Sequence, residues 1–135
     1  MTTVVDASVW VSAAIPDDVH HESSRAWLAT RRDGDLVTPT LALVETAGAI
    51  ARRSGSSALA AQAISAIEAL PNVLVVVPDE ELWETALAVA GGRKIRGADA
   101  LYVALAEALQ LPLVTWDREQ IERAGRRVTT LTPSD

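Results

Sequence analysis

Asp6, Glu45, Asp99 and Asp117 are the residues whose type and setting suit them to chemistry. Asp6 ends the run Thr2-Thr3-Val4-Val5, and Asp117 closely follows Leu113-Val114-Thr115. Glu45 lies inside the apolar stretch Leu41-Ala42-Leu43-Val44-Glu45-Thr46-Ala47, and Asp99 sits near the start of Gly97-Ala98-Asp99-Ala100-Leu101-Tyr102-Val103. An acid among alanines, leucines and valines is costly to bury without a partner. Four such acids could share a cation as that partner. Carboxylates crowded together raise one another's pKa values. A divalent ion removes that penalty, activates water and stabilises charge developing on a phosphate; two such ions can flank the scissile group. Each acid also has a plainer reading. Asp6 and Asp117 could cap helices, Asp99 could be a first-turn acid favoured by the helix dipole, and Glu45 could face solvent.

Composition narrows the cation. The chain has no cysteine, and its two histidines, His20 and His21, are adjacent. Zinc prefers several nitrogen or sulfur ligands, so a metal here would be held mainly through oxygen, which favours Mg²⁺ or Mn²⁺. We assign His20 and His21 no role. The formal net charge of −6 argues against a general nucleic-acid coat, whose binding rests on phosphate neutralisation. It is compatible with a nuclease that clusters carboxylates, and with a basic partner protein.

The elements that must position these acids alternate along the chain. Residues 2–5 form a β-branched strand, residues 7–14 a helix stopped at Pro16, and residues 20–32 a second helix with Trp27 and Leu28 facing inward. A short strand at 36–38 precedes a helix at 41–53, N-capped by Thr40 and closed by Gly55. Ser56 or Ser57 caps a helix reaching residue 70, with Leu59, Ala63, Ile67 and Leu70 on one face. The valine-rich run 73–77 reads as a strand covered on both faces. Pro78-Asp79-Glu80-Glu81 opens a helix that Gly91-Gly92 ends, and a polar loop leads into a helix at 98–110. A strand at 113–115, a short helix at 117–125 and a last strand at 127–131 complete the chain. Strands separated by helices imply a three-layer α/β/α sandwich around a mainly parallel sheet of about four to five strands. Ligands bind such sheets beyond the carboxyl ends of the strands, where Asp6 and Asp117 fall. With 135 residues, 49% of them hydrophobic, the expectation is a single domain over residues 1–135. No membrane span or signal peptide is evident, so the expected location is the cytoplasm.

The stretches Val4-Val5-Asp6-Ala7-Ser8, Thr38-Pro39-Thr40-Leu41-Ala42-Leu43-Val44-Glu45, Gly97-Ala98-Asp99 with its apolar continuation to Ala106, and Leu113-Val114-Thr115-Trp116-Asp117 together resemble the PIN-domain family, in particular its VapC-type toxin ribonucleases. The resemblance spans nearly the whole chain and rests on the order and spacing of the four pieces. It implies a PIN-like fold and an endoribonuclease using Mg²⁺ or Mn²⁺, with Asp6, Glu45, Asp99 and Asp117 as metal-coordinating acids. Ser8 and Thr115 match polar positions beside them, whose hydroxyls could orient a carboxylate or a metal-bound water; helix capping by Ser8 and a buried backbone bond from Thr115 are the plainer readings. The resemblance further implies a cognate antitoxin that blocks the site, and a homodimer. The helices around residues 41–70 could supply the dimer face, against simple core burial. Members often carry a further acid and then an aromatic after the last motif; here those places hold Glu119 and Ile121, and Glu119 reads better as a first-turn residue. Trp116 reads as packing or surface cover rather than a base-stacking platform.

RNA needs some positive charge. Arg52 lies about two helical turns after Glu45 and projects from the same side, and Arg93, Lys94 and Arg96 precede Asp99. These four are candidate phosphate contacts, against solvated surface; Arg126 and Arg127 read as surface. Three rivals remain. A phosphatase or phosphotransferase of another α/β class would use Asp6 as nucleophile, but a haloacid-dehalogenase-like enzyme wants a second Asp where Ser8 stands, and the acidic pair and late lysine of a receiver domain are not evident. A non-catalytic PIN-like binding module would not need all four acids. A nuclease of the same fold acting on DNA would be separated by competing RNA and DNA substrates.

Overall fold

The structure, a computed structural model, describes residues 2–31 and 34–135. It contains five strands: β1 (Thr3–Val5), β2 (Leu36–Pro39), β3 (Val73–Val76), β4 (Leu113–Val114) and β5 (Thr130–Leu131). Every pairing is parallel and the order is β3-β2-β1-β4-β5. From β1 the chain builds outward through β2 and β3. It then crosses back to build β4 and β5 on the other side of β1, so the direction of winding reverses between β1 and β4. The helices are α1 (Ala7–Ala14), α2 (His21–Thr30), α3 (Thr40–Ser54), α4 (Ser57–Ala69), α5 (Glu80–Arg93), α6 (Gly97–Leu109) and α7 (Arg118–Arg123). Helices α1 to α4 pack in succession (α1 on α2 and α3, α3 on α4), and α6 packs on α5 and α7. Right-handed crossovers place these two groups on opposite faces of the sheet.

The core lies where α6 meets the central strands. Residues 100–106 of α6 are all buried, and the helix packs on β1, β2 and β4. Each large side chain there, such as Leu101, Val103 and Leu105, contributes about 1.5–3 kcal/mol through burial. Trp10 of α1 joins this core, and its indole N–H donates to Thr38 Oγ1, which in turn donates to the Val5 carbonyl.

Several expectations are corrected. Residues 73–77 are not a strand covered on both faces: β3 is the sheet edge, and Leu74 and Val77 are exposed. Gly91 and Gly92 do not end α5, which runs through them to Arg93 and stops where Lys94 adopts a left-handed conformation with φ of 56°. Thr40 is the first residue of α3 rather than its cap, a place taken by Pro39, whereas Gly55 closes the helix at φ 71° as expected. Of the two candidate caps of α4, Ser56 takes the role as one reading expected, accepting from the Leu59 N–H. Leu59 of α4 and Leu70, its C-cap, are exposed, while Ala60 and Ile67 are buried. Strand β4 stops before Thr115, and the last strand is confined to Thr130–Leu131. Helix α2 starts at His21, and the expected end of that helix at Arg32 lies outside the described residues. Among the described residues, no helix is long and apolar enough to cross a membrane.

Candidate active site

Asp6 leaves the end of β1 and is 4% exposed. Its Oδ2 accepts from the Ser8 N–H at 3.2 Å, capping α1, and from Thr115 Oγ1 at 2.9 Å. Its Oδ1 accepts from Gln120 Nε2 at 3.3 Å. Thr115, just past β4, also accepts from the Asp117 N–H at 2.9 Å through the same hydroxyl. Asp117 caps α7, accepting from the N–H groups of Glu119 and Gln120. The two strands flanking the reversal of winding thus deliver Asp6 and Asp117 side by side at their carboxyl ends, the position that the fold leaves open for a ligand.

Helices bring the other two acids to the same place. Asp99 stands in the first turn of α6, and its Oδ1 accepts from Gln120 Nε2 at 3.2 Å. Burial, the Asp117 and Asp6 charges, a hydrogen bond with Asp117 and the Glu45 charge together push its carboxyl up to about 7. Glu45 on α3 is partly buried; desolvation raises its pKa, opposed by a hydrogen bond from the Tyr102 hydroxyl to Oε1 at 2.5 Å, while Asp6 raises it further. Burial and the neighbouring Asp6 and Glu45 charges hold the Tyr102 phenol firmly protonated. A half-buried carboxyl feels three other acids only if all four converge, so the plainer roles and the clustered one coexist: Asp6 and Asp117 do cap helices, and both also face Asp99.

The four acids line one cleft of about 760 Å³ together with Ser8, His20, Arg52, Arg53 and Trp116. Among the described residues, no three carboxylate or imidazole side chains stand close enough to ligate one ion. The four acids offer only oxygen donors and line one cleft, a donor chemistry that suits a hard divalent cation.

The supporting residues are placed as follows. Thr115 Oγ1 donates to the Asp6 carboxylate and accepts the Asp117 backbone N–H, so both the carboxylate contact and the backbone bond weighed for it are present. Ser8 Oγ accepts from the Trp116 N–H at 3.0 Å and lies 3.4 Å from Thr115 Oγ1, fixing the loop that carries Asp117. Trp116 has one face covered by the His20 ring, stacked at 3.7 Å, and its indole N–H donates to Ser24 Oγ. His21 Nδ1 bonds the Ser12 carbonyl.

Of the expected phosphate contacts, only Arg52 lines the cleft. Arg93 is corrected to a structural role: it pairs with Glu107 at 2.8 Å and donates to the Ala124 carbonyl. Arg96 pairs with Glu119, and Lys94 serves through its backbone, its carbonyl accepting from Arg123. Neither Lys94 nor Arg96 borders the cleft. Arg53, which the sequence did not single out, borders it while bound to Asp18 at 2.6 Å. Tyr102 and Gln120 were also missed. The run Ala100–Ala106 holds the chain's one tyrosine among apolar residues, which was the available signal; nothing in the sequence marked Gln120.

A parallel α/β sheet whose switch point gathers acids from two strands and two helices defines the class: an α/β protein with a carboxylate-lined cleft. The PIN domain family model matches residues 3–126, and the chain belongs to the PIN domain family. It is 32% identical over 95 residues to ribonuclease VapC29 of Mycobacterium tuberculosis, in strains H37Rv and CDC 1551 alike. That match covers 67% of this chain and 62% of the relative, so it spans less than two thirds of the length of these curated relatives. Among solved structures, Mycobacterium tuberculosis VapC20, described as a toxin cleaving the sarcin–ricin loop, shares the fold with a TM-score of 0.78 at 23% identity, covering 94% of this chain and 98% of that one. VapBC2 of Rickettsia felis, described as bound to a DNA fragment from their promoter, gives 0.76 at 13% identity with 98% of both chains covered. PAE2754 of Pyrobaculum aerophilum gives 0.69 at 25% identity, covering 96% and 89%.

Proposed function

We propose that this chain is a single-domain, metal-dependent endoribonuclease, the toxin of a toxin–antitoxin pair, which hydrolyses RNA phosphodiester bonds in the cleft at Asp6, Glu45, Asp99 and Asp117. The observation that carries the reading is the convergence of the four acids on one cleft. Family membership and a relative named as a ribonuclease support it. Mg²⁺ or Mn²⁺ bound by these acids would supply a water activated for attack and stabilisation of charge on the phosphate. Thr115 and Ser8 keep Asp6 and the Asp117 loop in register, Tyr102 holds Glu45 by one oxygen, and Arg52, which lines the cleft, would take a flanking phosphate. Asp6 is poorly placed as a nucleophile for a phosphotransferase, because it is buried and both its oxygens accept hydrogen bonds.

The partners that follow are an RNA substrate, a cognate antitoxin that closes the acidic cleft with a basic side chain, and a second copy of the chain. The test is cleavage of structured and single-stranded RNA by purified protein with Mg²⁺, Mn²⁺ or EDTA, beside Asp6→Asn and Asp99→Asn. Metal-dependent cutting lost in both variants supports the reading. Cutting that survives both substitutions refutes it.

A further inference from the structure

Gln120 is 0% exposed, yet its two ends are treated differently. Nε2 donates to Asp6 Oδ1 at 3.3 Å and to Asp99 Oδ1 at 3.2 Å. Oε1 has no hydrogen-bond partner among the described residues. Chemistry fixes this orientation, because exchanging the amide nitrogen and oxygen would set Oε1 against two carboxylate oxygens. Buried polar groups are ordinarily satisfied at both ends. This one leaves its acceptor orphaned and turns both N–H groups onto two acids from different elements, one at the end of β1 and one on α6. Its own backbone is fixed at the start of α7 by the Asp117 cap.

We propose that Gln120 is a positioning residue of the metal site read above: its amide spans Asp6 and Asp99 and holds these two like charges together before any cation arrives. A primary amide suits the task. It is neutral, so it neither titrates nor competes as a cation, and it offers two donors to two carboxylates. An incoming divalent ion then meets a formed pair rather than two acids that it must first draw together. The inference rests on the divalent-metal reading of the cleft.

The test is calorimetric titration of metal-free protein with MnCl₂, comparing wild type with Gln120→Met, which keeps the length and loses both donors. Circular dichroism and melting confirm that the variant is folded. The expected result is Mn²⁺ binding weaker by about 10-fold or more, with RNA cleavage restored as Mn²⁺ is raised, a rescue that general loss of structure would not allow. Equal Mn²⁺ affinity in a folded Gln120→Met variant overturns the positioning role and leaves the metal site standing. A wild type that takes up no Mn²⁺ overturns both. If Gln120→Met does not fold, the side-chain amide resonances of Gln120 in the wild type decide. Shifts of both Nε2 protons on adding Mg²⁺ support the role, and unmoved resonances in a protein that binds Mg²⁺ refute it.

Discussion

Asp99→Asn should make the metal-free protein more stable near neutral pH, and the gain should depend on pH in a defined way. The Asp99 carboxyl is displaced from an ordinary 3.8 to about 7 by burial first, then by Asp117 and Asp6. A pKa raised by folding means that the native state holds the proton more tightly than the unfolded chain. The associated stability is fully present below about pH 4 and is lost as pH rises through about 7. Converted at ~1.36 kcal/mol per pH unit, the whole displacement would be about 4 kcal/mol. The carboxyl is only half withdrawn from water, so screening reduces the figure to about 1–2 kcal/mol. Asparagine is isosteric, stays neutral, accepts from Gln120 as Asp99 does, and can donate to Asp117. In EDTA, the variant should therefore melt at the wild-type temperature at pH 4 and about 3–8 °C higher at pH 7.5. Adding Mg²⁺ at pH 7.5 should raise the wild type and move the variant much less. Scanning calorimetry at the two pH values decides. Equal melting temperatures at pH 7.5 without metal, or the same gap at pH 4, would refute the mutual crowding of the four acids.

Other substitutions separate the roles of neighbouring residues. Tyr102→Phe removes the donor to Glu45 and should lower cleavage roughly 10-fold through a hydrogen bond to a charged group of about 1.5 kcal/mol; a rate within twofold of wild type would refute that support. Arg52→Ala should raise KM several-fold with kcat little changed, whereas Arg93→Ala should cost about 1–2 kcal/mol of stability, seen in urea melts, because its ion pair and carbonyl contact are partly buried. The reverse pattern would return Arg93 to the substrate. Ser56→Ala should destabilise by about 1 kcal/mol through loss of the α4 cap and leave cleavage untouched.

What the sequence made legible follows a physical division. Helix α1 was readable to the residue, because Asp6 caps it and Pro16 forbids its continuation. The four acids stood out because acids are rare in apolar runs. Edge position was not readable at β3: valine density reports strand propensity, while coverage depends on which strand lies outermost. Gly91-Gly92 misled because a glycine pair lowers helix propensity by only about 2 kcal/mol, and the packing of α5 on α6 overrides that. Arg93 could not be told from Arg52 by type or spacing, since Glu107 and the Ala124 carbonyl reach it only in three dimensions. Gln120 was illegible for the same reason: its meaning lies entirely in two acids supplied by other elements.

The placement of β1 between β2 and β4 has a consequence for when the cleft comes into being. Gln120 and Asp6 are separated by 114 residues, and Thr115 and Asp6 by 109. Contacts so distant along the chain are among the slowest to form, because loop closure must precede any gain from them. During synthesis from the N-terminus, Asp6, Glu45 and Asp99 emerge without the strand and helix that complete their surroundings. A nascent chain therefore carries no finished cleft until the segment through Gln120 has emerged, and the gathering of the four acids is tied to completion of the fold itself.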